Sequence, residues 1–391
     1  MLPGSELYPP MTADDKGGAL RVAHLCTPAR VGGLERVIQA LSRAQVARGH
    51  AVSVIAVVSS PGDAAAFFAP LEGSGVRTIP LVMGARAYRT ERLRVRGLLI
   101  ADRPDVVHTH GYRADLLHGA PVRRAGIATV STVHGSSRMG GLSHFFEWLQ
   151  LRALRGFDAV VPVSSPLERT LREVGVRAER LHLIANAVSE GSGALSREAA
   201  RARLGLPADV GCVFGWVGRV VPVKGADVFI RAIAALPPDA GIASIIGDGP
   251  DRTAMESLAR ELGVEGRVRF HGEVADAAPL LAAYDAFVLS SRSEGTPIVA
   301  LEAMRASLPI IATAVGGVPD IVVDGRTGWL VPPERPQALA TALAAAARDP
   351  EEMRRRGRAG LERLRTEYDI SRWVKRHDEV YAAAMRTRRA R

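Results

Sequence analysis

The chain has 391 residues, of which 47% are hydrophobic and 24% charged. That is enough apolar material for two or three packed domains, and it excludes a wholly disordered, collagen-like or disulfide-scaffold protein. The net charge of +10 calls for an anionic partner but leaves nucleic acid, anionic lipid and phosphorylated small molecules open.

Residues 1–18, rich in Pro, Gly and Asp, read as a flexible tail. A strand at Leu20–Cys26 leads into a helix at Leu34–Arg48, with an apolar stripe of Leu34, Val37, Ile38 and Leu41. Gly49 stops that helix, and Ala51–Val58 is the next strand. Further strands are expected at Val76–Val82, Asp105–His110, Ala128–His134, Ala159–Ser164 and Leu181–Ala185. The run Ser189-Glu190-Gly191-Ser192-Gly193 then reads as a linker. Alternation resumes at Cys212–Val217, Ile242–Ile246, Val268–His271, Ala286–Ser290 and Pro309–Thr313. Ile370–Tyr381 reads as a final helix carrying Trp373, Val374, Val380 and Tyr381, followed by a basic tail. Continuous apolar strands separated by helices make parallel sheets covered on both faces. The expected fold is α/β, with two Rossmann-like, doubly wound domains at 19–190 and 191–370 facing a central cleft. Ligands of such sheets bind beyond the C-terminal strand ends.

Cys26 and Cys212 sit in apolar runs and read as free thiols of a reducing compartment. No charged leader precedes an apolar core at the N-terminus, and no run approaches the ~18 residues of a membrane span. The expected location is cytoplasmic, or peripheral on the cytoplasmic face of the inner membrane.

The residues with chemistry follow strands. Ser293-Glu294-Gly295-Thr296-Pro297-Ile298-Val299-Ala300-Leu301-Glu302 comes after the strand ending at Ser290. Thr296 suits an N-cap and Pro297 the first helical position. Amides of that first turn would form an anion site, flanked by Glu294 before the helix and Glu302 on its second turn. Phosphates in the middle and hydroxyls at both ends fit this cradle, as in two sugar rings joined by a diphosphate. A capped surface helix with two solvated glutamates explains the same spacing.

Gly218-Arg219 and Lys224-Gly225 place two cations beside another helix start, a diphosphate clamp. Only Lys16, Lys224 and Lys375 among the 51 basic residues are lysines. A compact ammonium fits a glycine-flanked turn that a guanidinium would crowd. Gly32-Gly33-Leu34-Glu35-Arg36 lets a ligand approach the backbone but lacks the G-x-G-x-x-G fingerprint. His108, His110 and His134 end neighbouring strands, with no H-E-x-x-H or Asp-x-Asp beside them, so no metal is expected. Gly247-Asp248-Gly249-Pro250 and His271-Gly272 look like cleft turns.

Together this ordered set resembles the GT-B glycosyltransferases, specifically the retaining family 4, over about residues 20–381. The shared features are a Gly-Gly-x-Glu loop, an Arg and Lys clamp, a Gly-Asp-Gly-Pro turn, and two glutamates with seven residues between. The resemblance implies that Arg219 and Lys224 hold a donor diphosphate, Glu294 the donor sugar's hydroxyls, and Glu302 the ribose. It implies that the amides around Thr296 to Ile298 assist near the sugar and phosphates, with Gly295 and Pro297, which has no N–H to give, shaping the same donor-binding turn. Gly32 and Gly33 would face the diphosphate from the other domain, and the base would lie near Gly247. His134 would lie beside the anomeric carbon, with His110 on the acceptor side. The helix at 371–391 would cross back to the N-terminal domain. Ala187 departs from the family's usual Asn-Gly at the hinge. The resulting expectation is metal-independent hexosyl transfer, with retention, from a nucleotide diphosphate-sugar to a glycan or lipid-linked acceptor in cell-surface polysaccharide or glycolipid synthesis. No cofactor is expected beyond this co-substrate.

A nucleotide-sugar epimerase or hydrolase on the same fold is the competing enzyme. A glycan phosphorylase would need a pyridoxal lysine, and Lys16 and Lys375 lie in terminal segments. Nucleic-acid binding is suggested by the pI of 10.3, but aromatics make up only 5% and no RNP-like or finger motif appears. An anionic membrane surface fits better. Residues 1–195 carry a net charge of +7, with Arg86, Arg89, Arg92, Arg94 and Arg96 in one segment. Leu142–Phe157 sets Phe145, Phe146, Trp148, Leu149, Leu151 and Leu154 beside Arg152 and Arg155. A helix turned toward the core accounts for that stretch equally.

Overall fold

Buried β-branched runs form the strands, and the intervening helices cover them on both sides. The computed structural model describes residues 18–28, 32–84, 86–135, 141–188, 193, 195–207 and 210–390. The expected tail and most of the expected linker lie outside these. The first half runs β1 (Arg21–Cys26), α1 (Gly33–Ala47), β2 (Ala51–Val58), α2 (Pro61–Phe68), β3 (Arg77–Val82), α3 (Tyr88–Asp102), β4 (Val106–His110), α4 (Tyr112–Arg124), β5 (Ala128–Val133), α5 (Gly141–Leu154), β6 (Ala159–Pro162) and α6 (Ser165–Glu173). The second runs α7 (Arg197–Arg203), β7 (Cys212–Val217), α8 (Ala226–Ala234), β8 (Gly241–Ile246), α9 (Arg252–Glu261), β9 (Val268–Phe270), β10 (Ala286–Leu289), α10 (Ile298–Arg305), β11 (Ile310–Thr313), α11 (Val318–Ile321), β12 (Gly328–Val331), α12 (Pro336–Arg348), α13 (Pro350–Glu367) and α14 (Ile370–Arg389).

The strand orders are β3-β2-β1-β4-β5-β6 and β12-β11-β10-β7-β8-β9. All pairings within the two sheets are parallel. Both sheets are doubly wound, and each reverses direction beside its first strand. The crevices at those switch points, β1/β4 and β7/β10, receive the loops that carry the site.

Two expectations about elements need correction. Leu181–Ala185 is not a strand; beside β6 it makes one isolated bridge, Leu181 to Val160, and two amide hydrogen bonds, from His182 to the Val160 carbonyl and from Ile184 to the Pro162 carbonyl. β12 is absent from the expected strands; it opens on Gly328 and its middle residues Trp329 and Leu330 are only partly buried, so it shows no continuous buried run. The helix expected at 371–391 holds: α14 runs from Ile370 to Arg389 and takes in the basic residues after Tyr381.

α14 leaves the second domain through α13 and packs on β5, β6 and α1 of the first. Its N-cap Asp369 accepts from the amides of Ser371 and Arg372 at 3.0 and 3.1 Å. Asp378 pairs with Arg48 at 2.8 Å and His50 at 3.1 Å, tying the helix to the end of α1. Trp373, Val374, Val380 and Tyr381 are buried there.

The first sheet has two unlike faces. Ala23, Leu25 and Val107 share a core with Val95 and Leu99 of α3 and Ala114 and Val122 of α4. Along β1 and β4 the alternate residues His24, His108 and His110 point the other way, toward α1 and α14.

Candidate active site

Lys224 sits in a single 3-10 turn, Pro222–Lys224, between β7 and α8. Gly225 caps α8 with φ +65°, and a Cβ there would stand 2.0 Å from the Ser290 carbonyl oxygen. Only glycine fits, so the turn is pinned against the end of β10. The pinning brings Lys224 Nζ to both Glu294 carboxylate oxygens, at 2.7 and 2.9 Å. Ser291 Oγ donates to Glu294 Oε1 at 2.6 Å. Lys224 and Glu294, expected on adjacent parts of one ligand, here hold each other in a charge-assisted pair. Arg219 follows β7, is exposed, and forms no ion pair among the described residues.

The expected cap of α10 is corrected. Pro297 is the N-cap, and helix geometry starts at Ile298. Thr296 instead donates its hydroxyl to the Val163 carbonyl in the first domain. Its own carbonyl accepts from Asn186 Nδ2 at 3.2 Å. Thr296 thus ties the two domains together rather than capping a helix.

Other contacts cross the same gap. A Cβ on Gly295 would meet the His134 carbonyl oxygen at 2.1 Å, so the two backbones touch. Gly33 opens α1, and a Cβ there would lie 3.9 Å from the Ile298 side chain. The Gly32 amide donates to Glu35 Oε2 at 3.0 Å, fixing the turn. Glu302 is buried, and Arg36 Nη1 reaches its Oε1 from α1 at 2.8 Å. Burial raises the Glu302 carboxyl above its ordinary range, against the pull of Arg36 and Arg305. On the far side, Gly247 lies so close to the Gly218 carbonyl that a Cβ would come within 1.8 Å of it.

The strand-end histidines form a connected layer. His24 Nε2 lies 2.7 Å from Gln45 Oε1, and His24 Nδ1 lies 3.0 Å from His110 Nε2. His110 Nδ1 meets His134 Nε2 at 3.3 Å. His108 lies between Tyr381 OH, 2.8 Å from Nδ1, and Thr132 Oγ1, 2.7 Å from Nε2. The rings of His108 and His110 are 4.3 Å apart. Burial holds His24, His134 and His377 down to about 4, and pushes His108 and His110 well below the usual histidine range. Neighbouring histidines add to the effect at His24, His108, His110 and His134. The layer is therefore neutral at physiological pH.

His110, expected on the acceptor side, is corrected. It is buried with both ring nitrogens engaged, and its chain toward the cleft runs through His134. His24, His108 and His110 also place ligand-type nitrogens within 4.8 Å of one another. All six of their ring nitrogens face protein partners, so this arrangement presents no free lone pairs converging on an ion.

Sequence reasoning missed His24, Gln45 and Tyr381 as site residues. The available signal was the period-2 placement of His24 opposite His108, but pairing register is invisible before the fold is known. Arg36 stood in plain view beside Gly32 and Gly33 without a role.

Residues 31–191 match the family described as Glycosyltransferase Family 4, and residues 211–349 the one described as Glycosyl transferases group 1. The chain belongs to the family 4 glycosyltransferases of the GT-B fold. This glycosyltransferase is 29% identical to the glycogen synthase of Mycobacterium tuberculosis H37Rv, over 93% of this chain and 94% of that one. It is 35% identical to a D-inositol 3-phosphate glycosyltransferase of Streptomyces avermitilis, over 50% of this chain and 44% of that one. Its fold matches Anabaena HepE in complex with UDP-glucose, with TM-score 0.80, 21% identity, and coverage of 93% and 99%. It also matches the sucrose-phosphate synthase of Thermosynechococcus elongatus, with TM-score 0.79, 23% identity, and coverage of 93% and 98%.

Proposed function

We propose that the enzyme moves a hexosyl group from a nucleoside diphosphate-sugar to a glycan or lipid-linked acceptor, with retention and without a metal ion, in building a cell-surface polysaccharide or glycolipid. The observation that carries this is the Lys224–Glu294 pair, between exposed Arg219 at the end of β7 and the start of α10, where Ile298 faces Gly33 across the gap. A diphosphate would give Lys224 a new anionic partner, leaving Glu294 to accept hydrogen bonds from sugar hydroxyls. Glu302 would bind the ribose and the turn at Gly247 the base. His134 would stand beside the sugar. The HepE complex with UDP-glucose and the relatives' glycosyltransferase names favour this donor class.

Breaking the anomeric C–O bond leaves its electron pair on the departing phosphate oxygen. Arg219, Lys224 and the first amides of α10 would stabilise that charge where it develops. The acceptor hydroxyl oxygen would then bond to the anomeric carbon on the same face and pass its proton to the departing phosphate. These two cations would supply the compensating positive charge, which is the basis for proposing metal independence.

Lys224→Ala is expected to abolish transfer while the chain stays folded by circular dichroism. Activity within about tenfold of the parent, a barrier change of ~1.4 kcal/mol, would overturn the clamp assignment. A screen of nucleotide-sugars with and without acceptor separates transfer from epimerisation or hydrolysis, which consume donor alone.

No helix among the described residues is long and apolar enough to cross a membrane. We infer surface docking on anionic lipid. Phe145, Phe146 and Trp148 of α5 are exposed, and so are Arg86, which precedes α3, and Arg89, Arg92, Arg94 and Arg96 on it. The combined variant Phe145→Ser and Trp148→Ser should lose flotation with anionic liposomes. Equal flotation by variant and parent would sink the docking surface.

A further inference from the structure

The histidine layer carries a direction. Gln45 sets it, because an amide oxygen can only accept hydrogen bonds and an amide nitrogen can only donate them. Gln45 turns Oε1 to His24 Nε2 at 2.7 Å and Nε2 to Tyr381 OH at 2.8 Å. His24 must therefore carry its single proton on Nε2, which leaves Nδ1 as an acceptor. Across 3.0 Å, His110 Nε2 must then donate, so its Nδ1 accepts. Across 3.3 Å, His134 Nε2 must donate in turn. On the other arm, Tyr381 accepts from Gln45 and gives its own proton to His108 Nδ1, and His108 Nε2 donates to Thr132 Oγ1. Four neutral histidines share one tautomer, and the chain ends at the unprotonated Nδ1 of half-buried His134, whose backbone carbonyl lies against Gly295.

We infer that Gln45 and Tyr381 are positioning residues that, through His24 and His110, present His134 Nδ1 to the ligand as a hydrogen-bond acceptor. This rests on the proposed placement of His134 beside the donor sugar. It narrows the substrate class. The donor sugar must offer a hydroxyl hydrogen at the position facing His134. A carboxylate there, as in a uronic acid, would set lone pair against lone pair. Each residue acts from a distance: Gln45 lies on α1 and Tyr381 on α14, both buried.

The first test reads the tautomers directly, by nitrogen-15 spectroscopy of histidine-labelled full-length enzyme near neutral pH, with no ligand needed. The expected result is Nε2-protonated, Nδ1-unprotonated rings for His24, His108, His110 and His134. A proton on His134 Nδ1 would reverse the chain and overturn the inference. This readout stands apart from the proposed function, which stands or falls with Lys224→Ala.

The second test is Tyr381→Phe, which keeps the ring and frees the Gln45 amide to turn over. It should mix the His134 tautomers and lower kcat for the preferred donor about tenfold, as expected for one lost hydrogen bond. With one member of a panel of monodeoxy donor analogues, lacking the hydroxyl that faces His134, variant and parent should work equally well. An equal loss across every analogue, with unmixed tautomers, would mean Tyr381 merely supports the fold, and the inference would fail. If Tyr381→Phe does not fold, Gln45→Glu replaces it. The carboxylate introduced by that change still accepts from His24 Nε2, so the His134 tautomer should persist. A reversed tautomer there would overturn the inference equally.

Discussion

The two domains share a doubly wound plan but fill their central strands differently. In the second sheet, β7 and β10 are apolar along their length, and the chemistry sits beyond their ends as Arg219, Lys224 and Glu294. In the first, β1 and β4 bring histidines into the buried middle of the sheet. The site's ion pair in the second domain is partly accessible; Lys224 keeps 31% of its side chain exposed. The layer histidines of the first, His24, His108, His110 and His134, are neutral and bonded to one another and to Gln45, Tyr381 and Thr132. The difference separates two jobs. Ion pairs can trade one partner for another when an anion arrives. A dry, neutral network cannot do so cheaply, and instead holds a single orientation.

Three experiments press on this contrast. The largest expected effect is at the seam. Gly295→Ala sets a Cβ against the His134 backbone oxygen and must push the domains apart, while leaving each core untouched. A shift of about an ångström in reacting groups costs about a hundredfold, so kcat/KM should fall by that order with little change in melting temperature. Next is acid. His24, His134 and His377 are held to about 4, and His108 and His110 well below the ordinary value, against 6.5 when unfolded. Below 6.5 the unfolded chain takes up protons that the folded chain refuses. Their stabilising contribution is therefore complete above 6.5 and drains away as pH falls toward 4. His271 is the one histidine in the second domain. Hydrogen exchange at falling pH should show β1, β4 and α14 opening before β7 and β10, with a melting temperature at least about 5 °C lower at about pH 5 than at about pH 7. Simultaneous opening of both sheets would erase the contrast. The smallest effect is Arg36→Ala, which removes the partner of buried Glu302 across the gap. The domains should separate more readily, seen as a modest rise in radius of gyration by X-ray scattering, with donor KM changed by less than about fivefold.

The fold was legible because apolar strands and helices alternate cleanly, and every expected strand but Leu181–Ala185 holds within a residue or two. What failed lacked a continuous buried run or a full ladder: β12 opens on Gly328 and is only partly buried in its middle, and Leu181 finds one bridge partner on an edge strand. The site's residue types were legible from spacing at Arg219, Lys224, Glu294 and Glu302. Their pairings were not, because Lys224 and Glu294 meet only when Gly225 packs under Ser290. Thr296 reads as a cap from its neighbours, yet the partner it found lies 133 residues away. His24 and Tyr381 were invisible for the same reason; each belongs to a layer assembled from distant parts of the chain.

The return of α14 has a consequence for biosynthesis. Its Tyr381 closes the histidine layer of a domain whose first strand ends at Cys26, almost the whole chain earlier. Until that helix emerges, Gln45 and His108 lack their shared hydroxyl partner, and α1 alone covers part of the sheet's polar face. Domains form as units in order of synthesis, but this first domain cannot be finished first. Its last piece arrives behind the whole of the second, so a nascent chain completes both together, and any premature stop after α13 leaves the older half open.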